Sequence, residues 1–238
     1  MKKKIFVVAL AACLLILSVA GSSMAYFTDT EAYTNVFTAG NVDITLTEAV
    51  TIRNDLGNIV ADNTANDRIA YNADNVYNPL FPGQAIAKDP QIKNVGSEKA
   101  YVGAVITITN GDTKYGSTTT SGTIDEVLTA DKNDATKTYV GDFITGLPAN
   151  AVVTTIEEGG VVIGFKVYVV YAAALATNAT ADVFSGIKIP ATWNNAEMAY
   201  VNGLKIDVNA YATQYAGFGD NAALTALQAA FPGVFPNP

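Results

Sequence analysis

Histidine is absent from the 238 residues and cysteine occurs once. Without an imidazole, several chemistries are excluded: Ser-His-Asp and Cys-His nucleophiles, His-based zinc sites, and haem held by a proximal His. Basic charge is also scarce. There are 14 Lys+Arg against 22 Asp+Glu, and the arginines are Arg53 and Arg68 alone. Apart from Lys2-Lys3-Lys4 no basic run exists to neutralise phosphates, which argues against nucleic acid as a partner. The same acidic excess disfavours an anionic membrane surface. Charged residues make up only 15% of the chain while 50% is hydrophobic, so a packed core is expected rather than disorder.

What the chain does have begins with an export segment. Lys2, Lys3 and Lys4 precede an apolar run from Ile5 to Ala20 that is broken only by Ser18. Ser23 and Ala25 then place small residues at −3 and −1 of a signal-peptidase site, so residues 1–25 read as a removed signal peptide and Tyr26 as the new N-terminus. An uncleaved membrane anchor is the competing reading, but the run falls short of the roughly 20 residues that span a bilayer. Leu10-Ala11-Ala12-Cys13 fits a lipoprotein pattern; the apolar run continues past Cys13, however, where a lipoprotein turns polar. Cleavage removes three lysines and the cysteine, taking the net charge from −8 to −11. The mature chain then has no thiol and no disulfide.

Beyond the leader the hydrophobic pattern has period two. In Asn41 to Glu48, Val42, Ile44 and Leu46 share one face and polar residues the other, the pattern of a half-buried antiparallel strand. Lys99 to Asn110 alternates likewise, with Val102, Ala104, Ile106 and Ile108 on one face. Val161 to Tyr171 is nearly continuous in β-branched and aromatic residues and reads as a central strand. Val183 to Ile189 and Leu204 to Ala212 alternate again, and Gln84 to Val95 and Ala151 to Ile156 are weaker strands. Turn residues separate the runs, with Gly159-Gly160 and Asn202-Gly203 short enough to close hairpins. Leu224, Leu227 and Phe231 recur at helical spacing before Pro232-Gly233, predicting one short C-terminal helix that caps an end of the fold. The expected fold is therefore all-β, an antiparallel sandwich or jelly roll, in a single domain over 26–238. Residues 111–150, rich in Thr, Asp, Lys and Gly, read as an inserted loop region.

Catalytic constellations are thin. Asp125-Glu126, Glu157-Glu158 and the loop acids Asp55, Asp62 and Asp67 are oxygen donors of the kind that serve calcium or glycoside hydrolysis, but their spacing fits no calcium loop. Ser97-Glu98-Lys99 lacks a nucleophile elbow and reads as a polar turn. Tyr168, Tyr171, Tyr211 and Tyr215 are cross-strand packing residues or an exposed ladder. Trp193 is either a loop anchor or a partner contact. Asn178-Ala179-Thr180 is a sequon by pattern only. No catalytic residue, metal ligand or cofactor is assigned.

The most informative stretch follows the cleavage site. Tyr26, Phe27, Thr28, Asp29, Tyr33 and Val36 make an apolar, β-prone N-terminus where a frayed polar one is usual. Such a segment either pairs with its own sheet or adds a strand to a neighbour's. Ala25-Tyr26-Phe27-Thr28-Asp29-Thr30-Glu31, followed by Phe37-Thr38-Ala39-Gly40-Asn41-Val42-Asp43-Ile44, resembles the TasA/camelysin family of Gram-positive bacteria. Leu80-Phe81-Pro82-Gly83, Ile92-Lys93-Asn94-Val95-Gly96-Ser97 and the strand from Lys99 resemble its later motifs. The resemblance implies a jelly roll and processing by the signal peptidase SipW. It also implies secretion to the cell surface or biofilm matrix, and fibres in which the segment from Tyr26 to Val36 acts as donor strand, with Phe27 as anchor. No nucleic acid and no lasting membrane insertion are expected. The family's protease name conflicts with the absence of histidine. A monomeric or anchored surface binding protein is the alternative, and a camelysin-like secreted protease the more remote one.

Overall fold

The computed structural model describes residues 28–31, 42–62, 68–71, 77, 80–109, 140, 143–159, 161–191, 193, 195, 198 and 204–236. In chain order the strands are β1 (Thr28–Glu31), β2 (Ile44–Ala49), β3 (Thr51–Arg53), β4 (Ile59–Ala61), β5 (Arg68–Ala70), β6 (Ala85–Ile86) and β7 (Gln91–Asn94). They continue as β8 (Ala100–Thr109), β9 (Ile144–Thr145), β10 (Val152–Glu158), β11 (Val161–Val170), β12 (Thr180–Asp182), β13 (Gly186–Lys188) and β14 (Lys205–Gln214). One helix, α1 (Ala223–Ala230), follows. The all-β expectation holds.

The strands form three sheets. A large one has the order β1-β14-β8-β11-β10, a second β12-β7-β2-β5, and a third β3-β4-β6-β13-β9. Pairing is antiparallel except for the single β4–β6 contact, Ile59 opposite Ile86. β8 and β14 carry the longest ladder, from Lys205 opposite Thr109 to Gln214 opposite Ala100. Alternation along these strands puts Val102, Ala104, Ile106, Ile108, Val167, Val169, Val208, Ala210 and Ala212 on the inner face. They pack there with Ile44, Leu46 and Ile92 of the second sheet and Ile86, Ile144 and Ile187 of the third in one core.

The sequence pattern for β8 accounts for only half of its burial. Its other face is covered too, because Tyr101, Gly103 and Val105 lie under the C-terminal segment. The predicted helix is present, but it lies flat against β8 and β14 rather than capping an end of the sandwich. Leu227 is fully buried and Phe235 nearly so. Tyr211 meets Phe231 and Phe235 edge-on at 5.0 and 5.5 Å, and Tyr168 meets Phe235 at 6.4 Å. These tyrosines are packing residues. Gly103 makes the close fit possible: a Cβ there would stand 2.9 Å from Phe235 Cζ and 3.0 Å from Leu227 Cδ1.

Three further expectations are refined. The weak strand over 84–95 is two strands, β6 and β7, and the run over 183–189 contributes only β13, with β12 just before it. Within the stretch read as an insertion, Val140, Phe143 and Ile144 are buried and β9 pairs with β13, so its end belongs to the core. Residues 111–139 lie outside the described residues, as does the Asn202-Gly203 turn. The Gly159 turn closes the β10–β11 hairpin with a positive φ of 61°.

Candidate functional site

The N-terminal strand is the first candidate. β1 is the outermost strand of the large sheet, and its four residues pair antiparallel with the C-terminal half of β14. Thr28 stands opposite Thr213, Asp29 opposite Ala212, Thr30 opposite Tyr211 and Glu31 opposite Ala210. Thr28 and Asp29 are thus the expected donor-strand residues that the structure places in a ladder. Ser23, Ala25, Tyr26, Phe27, Tyr33 and Val36 lie outside the described residues. The opposite edge of the same sheet is built differently. β10 shifts register between Ile156 and Glu157, and Glu157 and Glu158 are exposed at its end. A bulge and adjacent charges are the usual obstacles to adding another strand.

The second candidate is a buried polar cluster that sequence reading missed. β2 alternates Ile44, Leu46, Glu48 on its buried face, so period two carries a carboxylate into the core. Glu48 is 0% exposed and Lys88 4%. Lys88 Nζ donates to Glu48 Oε2 at 3.0 Å, and the Tyr77 hydroxyl donates to the same oxygen at 3.2 Å. The ammonium also stands 4.1 Å from the Tyr71 ring centroid and 4.9 Å from that of Tyr77. Burial pushes the Lys88 amine below its usual 10.5, and the Glu48 charge pulls it partly back. Tyr71 in turn donates to the Ile206 carbonyl at 2.8 Å, tying the cluster to β14.

A second ion pair adjoins it. Arg68 NH1 meets Asp89 Oδ2 at 2.9 Å, and NH2 donates to the Asp89 and Thr47 carbonyls. Asp89 Oδ1 accepts the Ala49 N–H at 2.8 Å. The arginine therefore clamps β5 and the 88–90 segment to β2. The sequence signal was present but weak: Glu48 sits at the parity of Val42, Ile44 and Leu46. The polar tail of that strand reads as its solvent face unless the core partner Lys88 is known.

Other singled-out residues resolve as architecture. Asn94 is fully buried; its amide donates to the Glu98 and Leu175 carbonyls and its oxygen accepts the Gly96 N–H. The Asn94-Val95-Gly96-Ser97 motif is therefore a side-chain-closed turn, and Ser97-Glu98-Lys99 is part of it. Trp193 is 4% exposed and stacks on Phe143 at 6.1 Å, which makes it a loop anchor. Tyr171 donates to the Asp182 carbonyl at 2.5 Å, and burial raises its pKa above 10.0. Asn178 adopts a left-handed φ of 62°, as an Asn in a tight turn does. Asp55 lies in the β3–β4 turn while Glu157 and Glu158 end β10, so these acids do not converge; Asp67, Asp125 and Glu126 lie outside the described residues.

Residues 1–64 match the family model described as camelysin metallo-endopeptidase. No curated protein and no solved structure matches the chain. The matched span holds the segment expected to be a leader, both N-terminal motifs and β1 through β4. The family description implies a metal, and the donor set does not fit one. The chain has no histidine, its one cysteine is Cys13, and no three His, Cys, Asp or Glu gather among the described residues. Over residues 1–64, the part that carries both N-terminal motifs, the chain is thus similar to the camelysin family.

Proposed function

We propose that this chain is an exported structural subunit of cell-surface or matrix fibres, assembling by N-terminal donor-strand addition. One observation carries the reading: β1 is an edge strand held to β14 through four register pairs, close to the expected new N-terminus at Tyr26. A neighbouring subunit's β1 offers the same backbone donors and acceptors to β14. Exchange therefore keeps the ladder while linking copies head to tail, an arrangement that need not close. The bulged, acidic β10 edge leaves β14 as the growth edge of this sheet. Removal of residues 1–25, with SipW as the peptidase the family implies, would free the donor. The jelly-roll connection, extracellular location and non-enzymatic role belong to the same reading.

The test is a deletion of Tyr26 to Val36. The shortened protein should remain a folded monomer by size-exclusion chromatography and form no fibres by electron microscopy. Fibres as abundant as those of the undeleted chain would sink the proposal. Incubation with casein and zinc should give no cleavage; metal-dependent cleavage that persists through repurification would restore the protease reading.

A further inference from the structure

The buried pair at the centre of the second candidate is arranged for a bond as well as for an ion pair. Lys88 and Glu48 are 40 residues apart in the chain, yet Nζ and Oε2 are 3.0 Å apart with side-chain exposures of 5% and 0%. That is the distance of a charge-assisted hydrogen bond, and it holds the amine nitrogen beside the carboxyl group whose carbon it would attack. The Tyr71 and Tyr77 rings flank the nitrogen and keep water from it. The Tyr77 hydroxyl donates to Glu48 Oε2, where negative charge collects when the carbon is attacked.

We propose that Lys88 and Glu48 become joined by an amide between Nζ and Cδ, a self-formed cross-link from β2 to the 87–90 segment. The step balances without a co-reactant. The ammonium first returns a proton to the carboxylate, giving a neutral amine and a neutral acid. The amine lone pair forms the N–C bond at Cδ, and the Tyr77 hydroxyl stabilises the oxygen anion at Oε2. The Cδ–Oε1 bond then breaks. Oε1 leaves as water with the acid proton and one proton from the nitrogen. Nothing is oxidised or reduced.

Two physical considerations favour the product. Desolvation disfavours the charged amine here, so the nucleophilic form is more accessible than for an exposed lysine. The product also replaces two buried charges, whose desolvation is costly, with one neutral amide. The mature chain has no cysteine, so this would be its covalent staple. It would tie the second sheet to the connection leading from the third, independently of how subunits assemble.

The experiment is mass spectrometry of the full chain after folding and proteolytic digestion. The peptides bearing Glu48 and Lys88 should be recovered as one linked species, lighter than their sum by one water. Lys88→Arg should release both as separate peptides. Tyr77→Phe should slow the appearance of the linked species in a time course after refolding. Recovery of Glu48 and Lys88 from the wild-type protein in separate, unmodified peptides would overturn the proposal. That measurement decides the matter even where Lys88→Arg fails to fold.

Discussion

The seat of the C-terminal segment on the large sheet offers the sharpest energetic test. Leu227 is fully buried over Gly103, a residue with no side chain to move into a vacated space. Leu227→Ala should therefore fall towards the upper end of the about 2–5 kcal/mol typical of such truncations. Against a total stability of about 5–15 kcal/mol, that is a large fraction. Gly103→Ala tests the same contact from below. Its Cβ would stand 2.9 Å from Phe235 Cζ and 3.0 Å from Leu227 Cδ1, so the two side chains must shift. Overpacking of this kind costs about 1–3 kcal/mol. In the double variant the new methyl enters space that Leu227 has left, and one of its three close contacts is gone. The combined loss should fall short of the sum by about 1 kcal/mol, within the usual range for touching residues. Urea unfolding of the four proteins, followed by circular dichroism, closes the cycle. Additivity within about 0.5 kcal/mol, the behaviour of independent sites, would refute the packing described.

Other consequences are equally measurable. Asn94→Ala removes the side-chain donor to the Glu98 and Leu175 carbonyls and leaves the buried Gly96 N–H without its acceptor, so it should cost about 1–3 kcal/mol and lower Tm in a thermal scan. Tyr171 has a raised pKa in the fold, so the folded state keeps a proton that the unfolded chain releases above pH 10.0. Stability from this group is complete below that pH and is lost as pH rises towards the folded value. Tyr171→Phe should flatten that alkaline decline in urea midpoints measured at successive pH values; an unchanged slope would contradict the assignment. Arg68→Ala should loosen β5, which Arg68 clamps to β2 through Thr47 and Asp89, and hydrogen exchange at Ile69 and Ala70 should accelerate while β8 amides stay protected.

Local rules made the strands legible. Alternation in Val42 to Leu46 and in Val102 to Ile108 marks a buried face because the side-chain period of a strand is two, whatever lies opposite. Gly159, with a positive φ, marks the β10–β11 turn for the same kind of local reason. The helix at 223–230 was legible from its spacing, but its seat was not. Leu227 and Phe231 show that a side of the helix is buried; they say nothing of whether it meets the end of a sandwich or a sheet face. The candidate sites divide in the same way. Asn94 could be recognised as a motif residue, and only its three hydrogen bonds reveal a turn-closing role. Glu48 stands at a core parity, but nothing local marks a carboxylate there as buried, because its partner comes from 40 positions away.

By itself the sequence determined the class of the fold, the likeness of the N-terminal segment to a family, and the exclusion of imidazole chemistry. Each depends on residue identity or on neighbours within a few positions. Tertiary structure alone decided which edge of the large sheet carries β1, why Gly103 must lack a side chain, and that a lysine and a glutamate meet in the core. Those depend on contacts between distant segments, and a burial pattern records that a residue is covered without recording what covers it.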